Sequence, residues 1–295
     1  MKVLITFACL ALAAAVSADD IINVVTSPVF NYHWRFGIDK ATKIKNAEEQ
    51  SAVSGQRIVG GSFSDISETP YQAGLVIQVF FILTSVCGAS IIAPDRVLTA
   101  AHCNYDGVMT ANSFTVVLGS NFLFSGGRRI VTRNVVMHPQ WNPQTTANDI
   151  ALIRLGESIS YTNVIQPIAL PSGDDLNNDF NGWNALASGY GRTADDSNID
   201  NNQRLSSVTL PVISNNACAA IYGSIVRASN VCTSGAGGQG TCRGDSGGPL
   251  AVTRNDRKIL IGVTSFGAEA GCELGFPAAF ARVTYYVDWI NSHYS

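Results

Sequence analysis

Short runs in which apolar and polar residues alternate recur along this 295-residue chain, separated by turns rich in glycine. They are FTVVLG (114–119), RIVTRNVVMH (129–138), IALIRL (150–155), SSVTLPVI (206–213) and KILIGVTSF (258–266). A period of two, many β-branched residues and 27 glycines predict an all-β sandwich or barrel architecture. One stretch departs from this pattern. In VTYYVDWINSHYS (283–295), Val283, Val287, Ile290 and Tyr294 fall three or four apart, which predicts a C-terminal helix. No internal repeat or low-complexity tract interrupts the rest.

Composition narrows the picture. Hydrophobic residues make up 46% and charged residues 14%, enough apolar material for a substantial core. The formal net charge of -3, without a basic block, argues against nucleic acid as a partner. Residues 1–18, MKVLITFACLALAAAVSA, combine an early lysine, an apolar run and a small-x-small ending, the pattern of a secretory signal cleaved after Ala18. No later run approaches the ~20 apolar residues of a membrane span. Of seven cysteines, Cys9 leaves with the signal; Cys87, Cys103, Cys218, Cys232, Cys242 and Cys272 remain. An even number suits disulfides in an oxidising compartment, with the pairing left open by spacing alone. No C-x-x-C pair occurs, which weakens the alternative of a structural zinc site.

Candidate chemistry centres on TCRGDSGGPL (241–250), where Ser246 stands among Gly244, Gly247 and Gly248. Such glycines allow a sharp turn and bring N–H groups close to a substrate, although a plain surface turn explains them too. A serine nucleophile needs a base. Of four histidines, His33 lies in a segment expected to be removed, His293 is near the end, and His138 before Pro139 reads as a structural loop residue. His102, in LTAAHC after an apolar strand and beside a cysteine, is the best base. Asp149, in NDIALIRL, directly precedes an apolar run, where an unpaired carboxylate would be costly; it is the candidate orienter of the imidazole. Asp245 is next to Ser246 and badly placed to face the same histidine.

IVGG (58–61), LTAAHC, NDIAL and GDSGGPL occur in the order and spacing of the chymotrypsin-like (trypsin-fold) serine peptidases, and the chain resembles an invertebrate digestive member of that family over residues 58–295. The resemblance implies two antiparallel six-stranded β-barrels, about 58–165 and 166–295, with the site in the cleft between them. It implies His102, Asp149 and Ser246 as base, orienter and nucleophile, and the N–H groups of Gly244 and Ser246 as the oxyanion hole. It pairs Cys87 with Cys103, Cys218 with Cys232 and Cys242 with Cys272. Residues 19–57 become an activation pro-segment: a cut after Arg57 gives Ile58 a new α-ammonium that folds inward onto Asp245, because a buried ion pair needs both partners.

The primary pocket implied by the family has Gly240 at its floor beside Thr241, with Gly267 and Ala278 as small walls and Ser265 and Gly267 pairing with the substrate backbone. An open, uncharged pocket predicts cleavage after Phe, Tyr, Trp or Leu; a broad, collagenase-type pocket is the alternative. Glu269 and Glu273 read as solvated loop charges, and Arg243 as a residue at the pocket mouth. The loop used for calcium in some relatives falls near 119–129, which lacks a carboxylate, so no metal and no cofactor are expected. Expected partners are protein and peptide substrates, an activating trypsin-like protease and proteinaceous serine-protease inhibitors, with no nucleic acid and no membrane, for a secreted monomer. Lys258 is the single lysine outside the segments expected to be removed, and that arginine bias suits an alkaline gut lumen. The rival from another class is a catalytically silent homologue acting as a binding protein.

Overall fold

A computed structural model describes residues 27–54, 64–191, 204–238, 245–268 and 274–293. Among the described residues, thirteen strands build two curved sheets. The first contains β1 (Gln72–Val79), β2 (Leu83–Ala93), β3 (Arg96–Thr99), β4 (Ala111–Leu118), β5 (Arg128–Thr132), β6 (Val135–Met137) and β7 (Ala151–Arg154). Its order is β5-β4-β1-β2-β3-β7-β6. The second contains β8 (Asn184–Gly189), β9 (Ser206–Ile213), β10 (Asn230–Thr233), β11 (Pro249–Arg254), β12 (Arg257–Phe266) and β13 (Ala278–Arg282), closed in the order β10-β13-β12-β11-β8-β9.

The six-stranded expectation holds for the second barrel, and among the described residues the first sheet counts seven strands. The reason lies in one run. The alternating stretch 129–138 bends at Arg133 and Asn134 and becomes two strands, β5 against β4 and β6 against β7. The Arg154 N–H donates to the Asn134 carbonyl (2.9 Å), and the Thr132 hydroxyl donates to the Arg154 carbonyl (2.7 Å). A single bent run thus serves both edges of the sheet, curling it into a half-barrel.

β2 shows why alternation is not the whole signal. Its last nine residues are all buried, because both of its faces are covered. The barrels touch where the Gly88 N–H of β2 donates to the Ser246 carbonyl (2.7 Å) and where the buried Ser188 hydroxyl donates to the Gln72 side-chain oxygen (2.8 Å). Disulfides join Cys87 to Cys103 and Cys218 to Cys232; Cys242 and Cys272 lie outside the described residues.

Helices are more numerous than the sequence pattern suggests. The expected C-terminal helix, here α3 (Val283–Asn291), buries Val283, Tyr286, Val287 and Ile290. The others are α1 (Ile38–Ser54) and α2 (Asn215–Tyr222), the latter capped by the Ser214 hydroxyl accepting from the Ala217 N–H (3.2 Å). α1 continues a π-helical turn at His33–Gly37 and packs along β2. Its inward stripe is Lys40, Ala41, Ile44, Ala47 and Glu48, continued backwards by Gly37 of the π-helical turn, with Asp39, Lys43, Lys45 and Glu49 outside. Among the described residues no helix is long and apolar enough to cross a membrane.

Candidate active site

Four elements converge between the sheets. His102 sits on a single helical turn, Ala101–Cys103, directly after β3, and the Cys87–Cys103 disulfide ties that turn to β2. Asp149 immediately precedes β7, whose pairing with β3 brings its carboxylate beneath the imidazole. Both side chains are buried. The His102 backbone N–H donates to Asp149 Oδ1 (2.9 Å), and Nδ1 lies 2.8 Å from Oδ2. A second donor reaches the same oxygen: the buried Ser265 hydroxyl of β12, at 2.6 Å.

Three hydrogen bonds converge on this one buried carboxylate, and an imidazole that donates to it from Nδ1 keeps its lone pair at Nε2. Nε2 is buried and has no hydrogen-bond partner. Such an imidazole can accept a proton at Nε2 while Asp149 offsets the positive charge that develops.

Ser246 is half-buried at the other side of the cleft, in a turn fixed by its neighbours. Gly247 has φ of +79°, and a Cβ there would fall 2.2 Å from the Thr99 hydroxyl oxygen, so no other residue fits without displacement. Asp245, next to Ser246, reaches the second sheet. Its Oδ1 accepts from the Gly191 N–H (2.9 Å), just beyond the end of β8.

Of the remaining expected residues, Ser265, Gly267 and Ala278 are described. Ser265 and Gly267 flank the last residue of β12, Phe266, and Ala278 opens β13 beside it. A Cβ at Gly267 would meet nothing within 4 Å, consistent with open space. Arg57, Ile58, Gly240, Thr241, Cys242, Arg243, Gly244, Glu269, Cys272 and Glu273 lie outside the described residues. His138 is structural: its ring packs on Tyr286 and Trp289 of α3, at centroid distances of 5.4 and 5.3 Å. One group of residues, Cys87, His102 and Cys103, comes close enough for a metal among the described residues, but the disulfide consumes both thiols.

Sequence reasoning missed the occupant of the cleft. The ring of Tyr32 stands edge-on to the His102 imidazole with centroids 4.8 Å apart, and its hydroxyl donates to the Val86 carbonyl (2.8 Å). Burial pushes the Tyr32 phenol up, opposed by a hydrogen bond with the Ser246 side chain. The fully buried His33 follows. Its backbone N–H donates to Asp106 Oδ2 (2.9 Å) and its ring Nδ1 lies 2.8 Å from the Ser85 hydroxyl. Burial brings the His33 imidazole down to about 4, helped by nearby His102 and opposed by Asp106. His33 was set aside as part of a discarded segment; no periodicity marked it.

Compared with known proteins, residues 58–290 match the family model described as Trypsin. The chain is 40% identical over 238 residues to a collagenase of Hypoderma lineatum, covering 80% of this chain and 87% of that protein. It is also 40% identical over 238 residues to brachyurin of Leptuca pugilator, covering 80% and 97%. The solved structure of HL collagenase superposes with a TM-score of 0.71 at 39% identity, covering 80% of this chain and 97% of that one. With sequence and fold both matched, this chain belongs to the trypsin family of serine endopeptidases.

Proposed function

We propose that the chain is the precursor of a secreted serine endopeptidase that hydrolyses peptide bonds through an acyl-enzyme on Ser246, with His102 as base and Asp149 as its orienter. The observation that carries this reading is the doubly supported Asp149 carboxylate, bonded to His102 Nδ1 and to the Ser265 hydroxyl, which leaves His102 Nε2 as a directed acceptor. In the acylation step His102 Nε2 removes the Ser246 proton as the oxygen attacks the scissile carbonyl carbon. The carbonyl π pair moves to the oxygen, which the N–H groups of Gly244 and Ser246 receive. Collapse returns the pair, breaks the C–N bond, and Nε2 delivers its proton to the leaving amine. Water, deprotonated by the same nitrogen, then releases the acid and restores Ser246.

Residues 1–18 act as a secretory signal and 19–57 as a pro-segment. Activation is a cut after Arg57 by a trypsin-like protease, which frees the Ile58 ammonium to pair with Asp245. Signal-like residues 1–18 and the two disulfides support export, and the lone lysine of the mature chain supports an alkaline gut lumen. Substrates are proteins cut after Phe, Tyr, Trp or Leu, through a pocket of Gly240, Thr241, Gly267 and Ala278; proteinaceous inhibitors of serine proteases would bind the same cleft. The open space at Gly267 supports that pocket. A second reading, a broad collagenase-type specificity, is favoured by the two relatives named collagenase and brachyurin.

Two measurements test the proposal. An aryl phosphonate should label Ser246 in the cut chain, and a peptide library should show cleavage after large apolar residues. Absence of labelling would leave a silent binding homologue, cleavage spread evenly over residue types would favour the collagenase-type reading, and a preference for Arg would mean that Glu269 or Glu273 reaches the pocket.

A further inference from the structure

Residues 27–54 cross the cleft from one bank to the other. On the β12 side, Val29 shares a buried apolar cluster with Phe266, the residue between Ser265 and Gly267, and with Cys218 and Cys232. At the centre, the Asn31 N–H donates to the Asp106 carbonyl (2.9 Å) and Tyr32 covers His102. On the β2 side, Tyr32 bonds the Val86 carbonyl and His33 meets Ser85. Further along, the buried Glu48 of α1 accepts from the Leu123 N–H (2.7 Å), the Phe124 N–H (3.0 Å) and the Ser125 hydroxyl (3.1 Å), in the loop between β4 and β5. The segment is held at the cleft and at a second point well away from it.

We propose that this segment is a non-covalent inhibitor that occupies the cleft in place of substrate and stays seated after Arg57 is cut, so that activity follows its departure rather than the cut itself. The inference rests on the endopeptidase reading above and adds a second step to it.

Three features separate an inhibitor from a bound substrate. A substrate must lie extended so that its backbone pairs with the Ser265–Gly267 edge. Here the backbone closes on itself instead: the Tyr32 N–H donates to the Val29 carbonyl (3.2 Å) and the Arg35 N–H to the Asn31 carbonyl (3.0 Å). Coiled backbone offers no extended peptide bond to Ser246, so the segment covers the site without being cut. Second, residues 19–57 contain no cysteine, so after the cut nothing covalent retains them. Docking then changes from an intramolecular to a bimolecular equilibrium, which dilution shifts. Third, the fit is specific at Gly37. A Cβ there would fall 1.9 Å from the Ser85 hydroxyl oxygen, although alanine would favour the helix itself.

The test uses the full chain cut by trypsin and assayed with a small chromogenic peptide and with phosphonate labelling, over a series of dilutions. Activity per molecule should rise with dilution for the native sequence and should be maximal at every concentration for Gly37→Ala and Tyr32→Ala. A synthetic peptide of residues 27–54 should inhibit the diluted enzyme competitively, and the same peptide with Gly37→Ala should need about 30-fold more, the loss of one buried anchor. Because the peptide arm does not depend on the variants folding as precursors, misfolding of one of them leaves the test intact. Full activity of the native cut chain at all concentrations, with no effect of the peptide, overturns the inference and leaves the endopeptidase reading standing. No hydrolysis and no labelling in any cut chain brings down both.

Discussion

The two sides of the His102 ring are built differently. On the Nδ1 side stand Asp149 and Ser265, polar, buried, and supplied by strands of the two sheets, with every hydrogen bond made. The other contact is with Tyr32 of the N-terminal segment, whose ring meets the imidazole edge-on with centroids 4.8 Å apart, while Nε2 has no hydrogen-bond partner. A side that must orient the ring permanently is assembled from the sheets themselves. The contact that a departing pro-segment would break is an aromatic one, whose hydroxyl is engaged by the Val86 carbonyl and the Ser246 side chain rather than by the imidazole.

Breaking the Nδ1 side, or the serine it serves, should have the larger effects. Ser246→Ala and His102→Ala should each lower kcat by about 10⁶, with the double variant little worse, since groups of one mechanism do not add. Losses that multiply would show two separate mechanisms. Asp149→Asn should leave the fold intact, as followed by circular dichroism, yet slow turnover by about 10⁴ through the wrong imidazole tautomer. Ser265→Ala removes one charge-assisted donor from the same carboxylate and should cost about tenfold in kcat with little change in thermal stability; an unchanged kcat would reduce Ser265 to a backbone contact for substrate.

The Tyr32 side should instead respond to pH. His33 is at about 4 when docked, below its ordinary value of 6.5. A depressed imidazole supports docking fully above pH 6.5 and loses that support as pH falls from 6.5 through 4. Facing it are Asp106, which would ease protonation, and His102, which would resist it. Retention of the cut segment on the enzyme, measured by size exclusion, should therefore weaken by about tenfold between pH 7.5 and 5.5. Burial raises Glu48, so its docking improves in acid and works against His33. Glu48→Gln should unmask the full acid limb, and His33→Asn should abolish it. Retention independent of pH in both variants and in the native chain would show that neither group titrates across docking.

How much was legible follows from which interactions are local. Ser246, His102 and Asp149 were marked by the residues beside them, because the turn, the disulfide and the following strand that hold each one are close in sequence. β4 and β9 were visible as alternating runs, and β7 and β12, almost wholly buried, by their aliphatic and β-branched residues. β2 was not, since burial on both faces erases alternation, and the bend dividing β5 from β6 depends on hydrogen bonds to Arg154 far along the chain. Ser265 was read as a backbone partner of substrate; its hydroxyl bond to Asp149 joins residues from different sheets and leaves no local trace.

α1 is the sharpest case. Its buried stripe includes Lys40 and Glu48 and runs on to Gly37 of the preceding turn, so hydrophobic periodicity gave almost nothing to detect. The sequence by itself determined the family and the β architecture and singled out Ser246, His102 and Asp149 as candidates, because these are written in short motifs whose geometry is largely local. Only the tertiary structure decided what lies over them. Tyr32 meets His102 across seventy residues of chain, and Glu48 is held by N–H groups of a loop that has no use for it otherwise. Such contacts are set by shape and by unmet backbone donors in three dimensions, which no spacing along the chain records.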